Sequence, residues 1–233
     1  MALRLIGGWG NRPDPLQSCA QRLVRSLELL PQQPERYGPW GVWHTRAESA
    51  YNDLVPLDVA DVGVVAAAIS AVTERVNQGP MRTPGQHAQL AREVIGVRAD
   101  ADPQYLEYTV RAGFVDTPQP FNHLLLQAED STRPAELFGY MSAMVVAWQP
   151  DYLGLATRAV QRAQGHRQPE AVAGFLTYVR AGTALNRSVL GDQIDVAEAD
   201  GGLYIRVPGT AAEPSLDHVR QVRDALGYSG AQT

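Results

Sequence analysis

The sequence contains no lysine: all 20 of its Lys and Arg residues are arginine. A guanidinium suits two-pronged recognition of an anion, but these arginines are scattered singly from Arg4 to Arg223 with no basic run. With a formal net charge of -5, the chain also lacks the positive field that nonspecific nucleic-acid binding requires. Cysteine is nearly absent. Cys19 stands alone, so no intramolecular disulfide can form, in keeping with a reducing compartment. No run of about 18 apolar residues is present, which excludes a hydrophobic membrane-spanning helix. The opening MALRLIGGWG lacks the charged segment and roughly 7 to 15 apolar residues of a secretory signal. A cytoplasmic protein with no membrane partner is therefore expected. Its 233 residues, 45% hydrophobic and 19% charged, suffice for one domain that buries roughly 70% of its unfolded surface.

Catalytic and cofactor motifs are missing too. There is no GxSxG elbow, GxxxxGK[ST] loop, HExxH or CxxC. GGWGNR departs from the dinucleotide fingerprint GxGxxG at Trp9 and Asn11. His44, His87, His123, His166 and His218 stand far apart, without metal-ligand spacing. Glu48, Asp53 and Asp151 lie near aromatics, where an apolar pocket can raise a carboxyl pKa, but nothing in the sequence joins two of them into an acid–base set. The expectation is a non-enzyme with no cofactor, metal or catalytic residue.

What is present is clear periodicity. Residues 2–6 read as a strand ended by Gly7 and Gly8. A helix over 15–30 follows, with Asp14 as N-cap, Pro15 at its first position and Leu16, Cys19, Ala20, Leu23, Val24, Leu27 and Leu30 on one face. Cys19 sits in that face as a structural thiol. Residues 31–39 are a proline-rich connection, and 40–44 form a short strand or packed loop. A second helix is capped by Asp58, carries Val62, Val65, Ala66, Ile69, Val72 and Val76, and stops at Gly79.

Residues 77–90 read as surface loop. Beyond them the period becomes 2: Ile95 and Val97, then Leu106, Tyr108 and Val110 against Glu107, Thr109 and Arg111, with a third strand at 121–127. A helix follows from Pro134 to about Ala147. Strands are then expected at 172–180, 193–199 and 203–207, the last two joined by Asp200-Gly201-Gly202, before a C-terminal helix stopped by Gly227. The fold class is α+β, with antiparallel sheets and packed amphipathic helices. It forms one domain over 1–233, with possible lobes 1–130 and 131–233 sharing a core.

Two acidic groups admit two readings, solvated loop or a rim that meets a basic partner: Asp192, Asp195, Glu198 and Asp200, and Asp100, Asp102 and Glu107. On an extended strand Asp195 and Glu198 project from opposite faces, which argues against a shared metal.

WGNRPDPLQSCAQRLVRSLELL and the later VVAWQPDYLGL together resemble the immunity protein 52 family of bacterial polymorphic-toxin systems. The likeness rests on Trp9, Gly10, Arg12, Cys19, Ala20, Arg22 and Leu23, then Ala147, Trp148, Pro150 and Asp151, and finally Gly174 and Tyr178 of GFLTYV. There Phe175 stands where the family has tryptophan. Order and spacing extend the resemblance loosely from residue 3 to about 226, with little to match over 77–120.

The resemblance implies a monomeric antidote that binds and neutralises a cognate toxin, delivered by systems such as type VI secretion and commonly bearing a restriction-endonuclease-type nuclease. Its motif residues Trp9, Gly10, Arg12, Trp148, Pro150, Asp151, Gly174 and Tyr178 are expected to be architectural, with Arg12 either bracing the fold or facing the partner. A tight complex buries about 1,200 to 2,000 Å² around a few aromatic or Arg anchors. Trp40, Trp43, Tyr51 and Tyr37 are candidates if the proline-rich connection exposes them; otherwise they pack over the first helix. The acidic groups are the other candidates, facing a nuclease's cationic groove. The alternative is an enzyme or sensor with a pocket between lobes, lined by Trp9, Tyr140 and Trp148 and using Asp151 as acid or base.

Overall fold

The computed structural model describes residues 2–45, 52–78, 85–97, 102–115, 122–129, 134–167 and 170–228. Their elements in chain order are β1 (Ala2–Gly8), α1 (Leu16–Leu29), β2 (Gly41–Thr45), β3 (Asn52–Pro56), α2 (Val62–Val76), β4 (Gln86–Glu93), β5 (Tyr105–Ala112), β6 (His123–Glu129), α3 (Pro134–Trp148), β7 (Tyr152–Thr157), α4 (Arg158–Ala163), β8 (Leu176–Arg180), β9 (Asp195–Ala199), β10 (Gly202–Arg206) and α5 (Leu216–Ala225). The class is α+β with antiparallel strand pairing, as the change of hydrophobic period predicts. The chain divides into two compact units, one of Gly10–Ala128 and one of Met1–Trp9 with Glu129–Thr233. The first strand thus belongs with the C-terminal half, where it pairs with β7 from Leu3↔Thr157 to Gly8↔Tyr152, and not with a lobe 1–130.

In the unit Gly10–Ala128 the strand order is β3-β2-β4-β5-β6. The periodic face of α1 buries Cys19, Ala20, Leu23, Val24 and Leu27, and α2 buries Val65, Ala66, Ile69 and Val72. Leu23, Val65, Ile69 and Val72 meet Val42, Ala88 and Leu90 in one apolar seam. Fully buried, each of Leu23, Val65, Ile69 and Leu90 contributes about 1.5–3 kcal/mol. β5 alternates without a break: Leu106, Tyr108, Val110 and Ala112 are buried, and Tyr105, Glu107, Thr109 and Arg111 are half-buried. Tyr108 donates its hydroxyl to Ser26 Oγ at 3.1 Å, and Ser26 donates to the Leu23 carbonyl at 2.7 Å, so strand and helix are fastened inside the core.

Local differences from the sequence reading have physical causes. Asp61, not Asp58, caps α2: its Oδ1 accepts from the Gly63 and Val64 N–H groups at 2.7 and 3.2 Å, while Asp58 holds the preceding turn through the Ala60 N–H. Residues 86–90 of the expected surface loop belong instead to strand β4. Its polar His87 and Arg92 are buried because partners await them: Arg92 donates to the carbonyls of Gly38, Gln32 and Tyr37 at 2.7, 2.9 and 3.2 Å. Ile95, expected in a strand, is 52% exposed in a turn completed by Gly96 at φ 81°. β3, β7 and α4 carry no clear period of their own in the sequence.

In the other unit the order is β1-β7-β8-β10-β9. α3 is apolar on nearly every side and buries Leu137, Tyr140, Met141, Met144, Val145 and Trp148. α5 buries Val219 and Val222 in a cluster with Val172, Val179, Ile205 and Val207. The hairpin at 200–202 forms as read: Asp200 and Gly201 take φ 50° and 73°, and Gly202 pairs with Ala199.

Candidate functional site

The N-terminal motif is engaged inside the protein. Asp14 is 4% exposed, and its carboxylate does not cap the helix; Oδ2 receives Arg12 Nε at 2.9 Å and Oδ1 receives Arg22 Nε at 3.3 Å. The cap position falls to Pro15, whose carbonyl accepts the Cys19 N–H at 2.9 Å. Asn122, 1% exposed, donates to the carbonyls of Gly10 and Phe114 and accepts the Phe114 N–H at 2.9 Å. It pins the motif to the segment before β6. Nothing in its local sequence signals that task, because its partners lie 8 and 112 residues away.

The remaining motif residues cluster in the other unit. Trp9 stacks on Trp148 with ring centroids 5.7 Å apart, and both are buried with Tyr140, so these three rings are core. Gln149, at φ 50°, ends α3 and precedes the buried Pro150. Asp151 donates its N–H to Gly8, accepts the Arg180 N–H on its carbonyl, and pairs with Arg180 Nη1 at 3.2 Å in a half-exposed ion pair. A Cβ at Gly174 would overlap the Leu155 carbonyl, so only glycine lets these backbones meet. Tyr178 is buried, tilts against Tyr204 at 5.1 Å, and donates its hydroxyl to the Asp200 carbonyl at 3.2 Å.

The expected contact residues do not share one environment. Trp40 is 5% exposed, tilted against Tyr108 with the Arg92 guanidinium over its ring, and Tyr37 is 2% exposed; neither is a surface anchor, because the proline-rich connection folds around Arg92. Trp43 is half-buried, edge-on to Tyr105 at 4.8 Å. Asp200 is committed to its hairpin, accepting from Tyr204 at 2.6 Å and Ser142 at 3.0 Å, and Asp195 is paired with Arg206. Asp102, Asp192 and Glu198 are exposed and Glu107 is half-buried on β5. Tyr51 and Asp100 lie outside the described residues.

Electrostatics assign no nucleophile to the buried thiol. Burial pushes the Cys19 pKa up to about 12, with Asp14 adding to the rise. His87 moves the other way, down to about 4, through burial and then the charges of Arg111 and His123. Among the described residues no group of three or more His, Cys, Asp or Glu is placed to hold a metal ion, and no helix is long and apolar enough to cross a membrane.

An α+β chain built this way, with its motif residues spent on internal contacts and carboxylates on its surface, has a counterpart of known structure. It is similar over 100% of its length, and over 77% of the other chain, to the solved structure described as Pseudomonas aeruginosa T6SS protein PA0821, at 11% identity and a TM-score of 0.53. That likeness is one of fold. No family profile matches the chain, and no curated protein matches it.

Proposed function

We propose that this chain is an immunity protein that neutralises a cognate secreted toxin, a nuclease of the restriction-endonuclease type, by forming a stoichiometric complex without covalent chemistry. The observation that carries the reading is the agreement of two separate likenesses. One is the ordered set Trp9, Gly10, Arg12, Trp148, Pro150, Asp151, Gly174 and Tyr178, which resembles the immunity protein 52 family; the other is a backbone similar throughout to a protein named for type VI secretion. The geometry supports this division of labour: the shared motif residues hold the scaffold, which leaves other surfaces to suit a particular toxin.

The exposed Asp102, Asp192 and Glu198 and the half-buried Glu107 and Trp43 are the contact residues of this proposal. Carboxylates entering the cationic groove of a DNA-cleaving enzyme raise the association rate and fix the register. The free protein is a monomer, acting in the cytoplasm of the cell that makes it. Co-expression with the toxin encoded by the adjacent upstream gene tests it: growth is restored and the two proteins co-elute. Persistent toxicity with separate elution rejects the reading.

A further inference from the structure

We propose that the unit containing β1 carries a second binding site, for a small polyvalent oxyanion of the phosphate class, in a concave pocket of about 340 Å³ lined by Arg4, Arg158, Gln161, Arg162, Gly165 and His166. It lies beside β1, at the opposite end of the strand order β1-β7-β8-β10-β9 from the acidic β9. The inference does not depend on the toxin-binding reading.

The local fold gathers these groups. Arg4 stands on β1 in register with Ala156 of β7. Thr157 then caps α4 by accepting the Val160 N–H at 3.2 Å, and the helix places Arg158, Gln161 and Arg162 at positions i, i+3 and i+4 of one face. Gly165, at φ 63°, turns the chain so that His166 completes the lining. His166 Nε2 donates to the Glu170 carbonyl at 2.9 Å, which leaves Nδ1 as its other polar atom.

Three guanidiniums therefore line one concavity, and among the described residues no carboxylate lines it with them. The next acid along the chain, Glu170, is already bound to Arg223 at 2.9 Å and to the Arg167 N–H at 3.1 Å, and it does not line the pocket. Arg4 is half-buried; burial and then the neighbouring Arg158 charge both lower its pKa. Its Nη1 donates to Gln161 Oε1 at 3.1 Å, while Nε is buried without a hydrogen-bond partner among the described residues. Like charges held together at a cost are offset by an anion with several oxygens, and guanidinium forks match a phosphate with parallel N–H···O bonds. The volume lies within the range of small-ligand pockets, about 300 to 1,000 Å³, and the charged lining selects an anionic group over an apolar one. An open, shallow concavity that gathers three guanidiniums around a half-buried arginine fits a small oxyanion of several oxygens.

Titration calorimetry with inorganic pyrophosphate, orthophosphate, ATP and an oligoglutamate peptide tests the site. The expected result is one saturable pyrophosphate or ATP site per chain, weakened at least about tenfold by the double substitution Arg158→Ala/Arg162→Ala. Both side chains are exposed and carry like charge towards Arg4, so melting without ligand does not fall. Gln161→Glu, which gives Arg4 an internal carboxylate, is expected to weaken binding at least as much while keeping the fold. No saturable phosphate binding, full affinity in both variants, or binding of oligoglutamate alone would each overturn the proposal.

Discussion

Arg12 Nε lies 2.9 Å from Asp14 Oδ2, and the carboxylate it holds is almost entirely buried. The ion pair fixes the chain's entry into α1 and takes Arg12 out of the set of side chains free to meet a partner. Removing one member of a buried pair costs about 3–5 kcal/mol. Arg22 still contacts the same carboxylate, so Arg12→Ala is expected to cost a smaller amount, about 1–3 kcal/mol. Denaturant unfolding of Arg12→Ala, Asp14→Asn and the double variant checks this, with the double variant losing less than the sum. Toxin affinity per folded molecule stays near that of the parent; unchanged unfolding with lost binding would make Arg12 a contact residue.

His87 gives the fold a pH dependence. Its pKa is about 4 in the folded protein and about 6.5 in the unfolded chain. Between those values the unfolded state binds more protons, so stability falls as pH drops from about 6.5 towards 4, by on the order of 1–3 kcal/mol. Melting scans across that window, repeated with His87→Gln, are expected to show a flatter profile in the variant. An equal slope in both would assign the acid sensitivity elsewhere.

Cys19 is expected to resist alkylation in the native state. Its thiol is buried and its pKa is raised to about 12, so labelling at neutral pH should proceed only as fast as the protein opens. Iodoacetamide labelling with and without denaturant distinguishes this from a reactive thiol, which would label at once under native conditions.

Gly174→Ala is expected to be among the most damaging single substitutions. The added methyl overlaps the Leu155 carbonyl, and relief requires β7 and the segment before β8 to separate. A loss above about 3 kcal/mol, or an insoluble product, is the expected outcome. The same substitution at Gly165, where an added Cβ meets nothing within 4 Å but φ is 63°, costs only the backbone strain of about 1 kcal/mol. Comparing their soluble yields and melting temperatures separates steric overlap from conformational strain.

These contrasts show why part of the molecule is legible in its sequence and part is not. α1, α2, α5 and β5 are written in their hydrophobic periods, and the β9–β10 turn in Asp200-Gly201, because each signal lies within a few residues of its effect. β4 is not so written. Its buried His87 and Arg92 read as surface residues until distant groups, such as the carbonyls of Gly38, Gln32 and Tyr37, come to meet them. Asp14 differs for a related reason: an aspartate before a proline and an apolar run has the pattern of a cap, yet two arginines claim its oxygens. The aromatic candidates divided likewise, Trp40 going inside under Arg92 and Trp43 staying half-exposed. The pocket at Arg4 escaped the pattern because its cations come from β1 and α4, more than 150 residues apart in sequence.

If the protein works by holding a toxin, as proposed, a complex of the two must form in solution. Purified chain mixed with the nuclease domain of its proposed cognate toxin should elute from gel filtration as a single one-to-one species, with DNA cleavage abolished at equimolar concentration. Charge reversal at Asp192 and Glu198 should weaken that complex while melting stays unchanged. Separate elution of the two proteins, with cleavage undiminished at excess chain, would rule out neutralisation by binding.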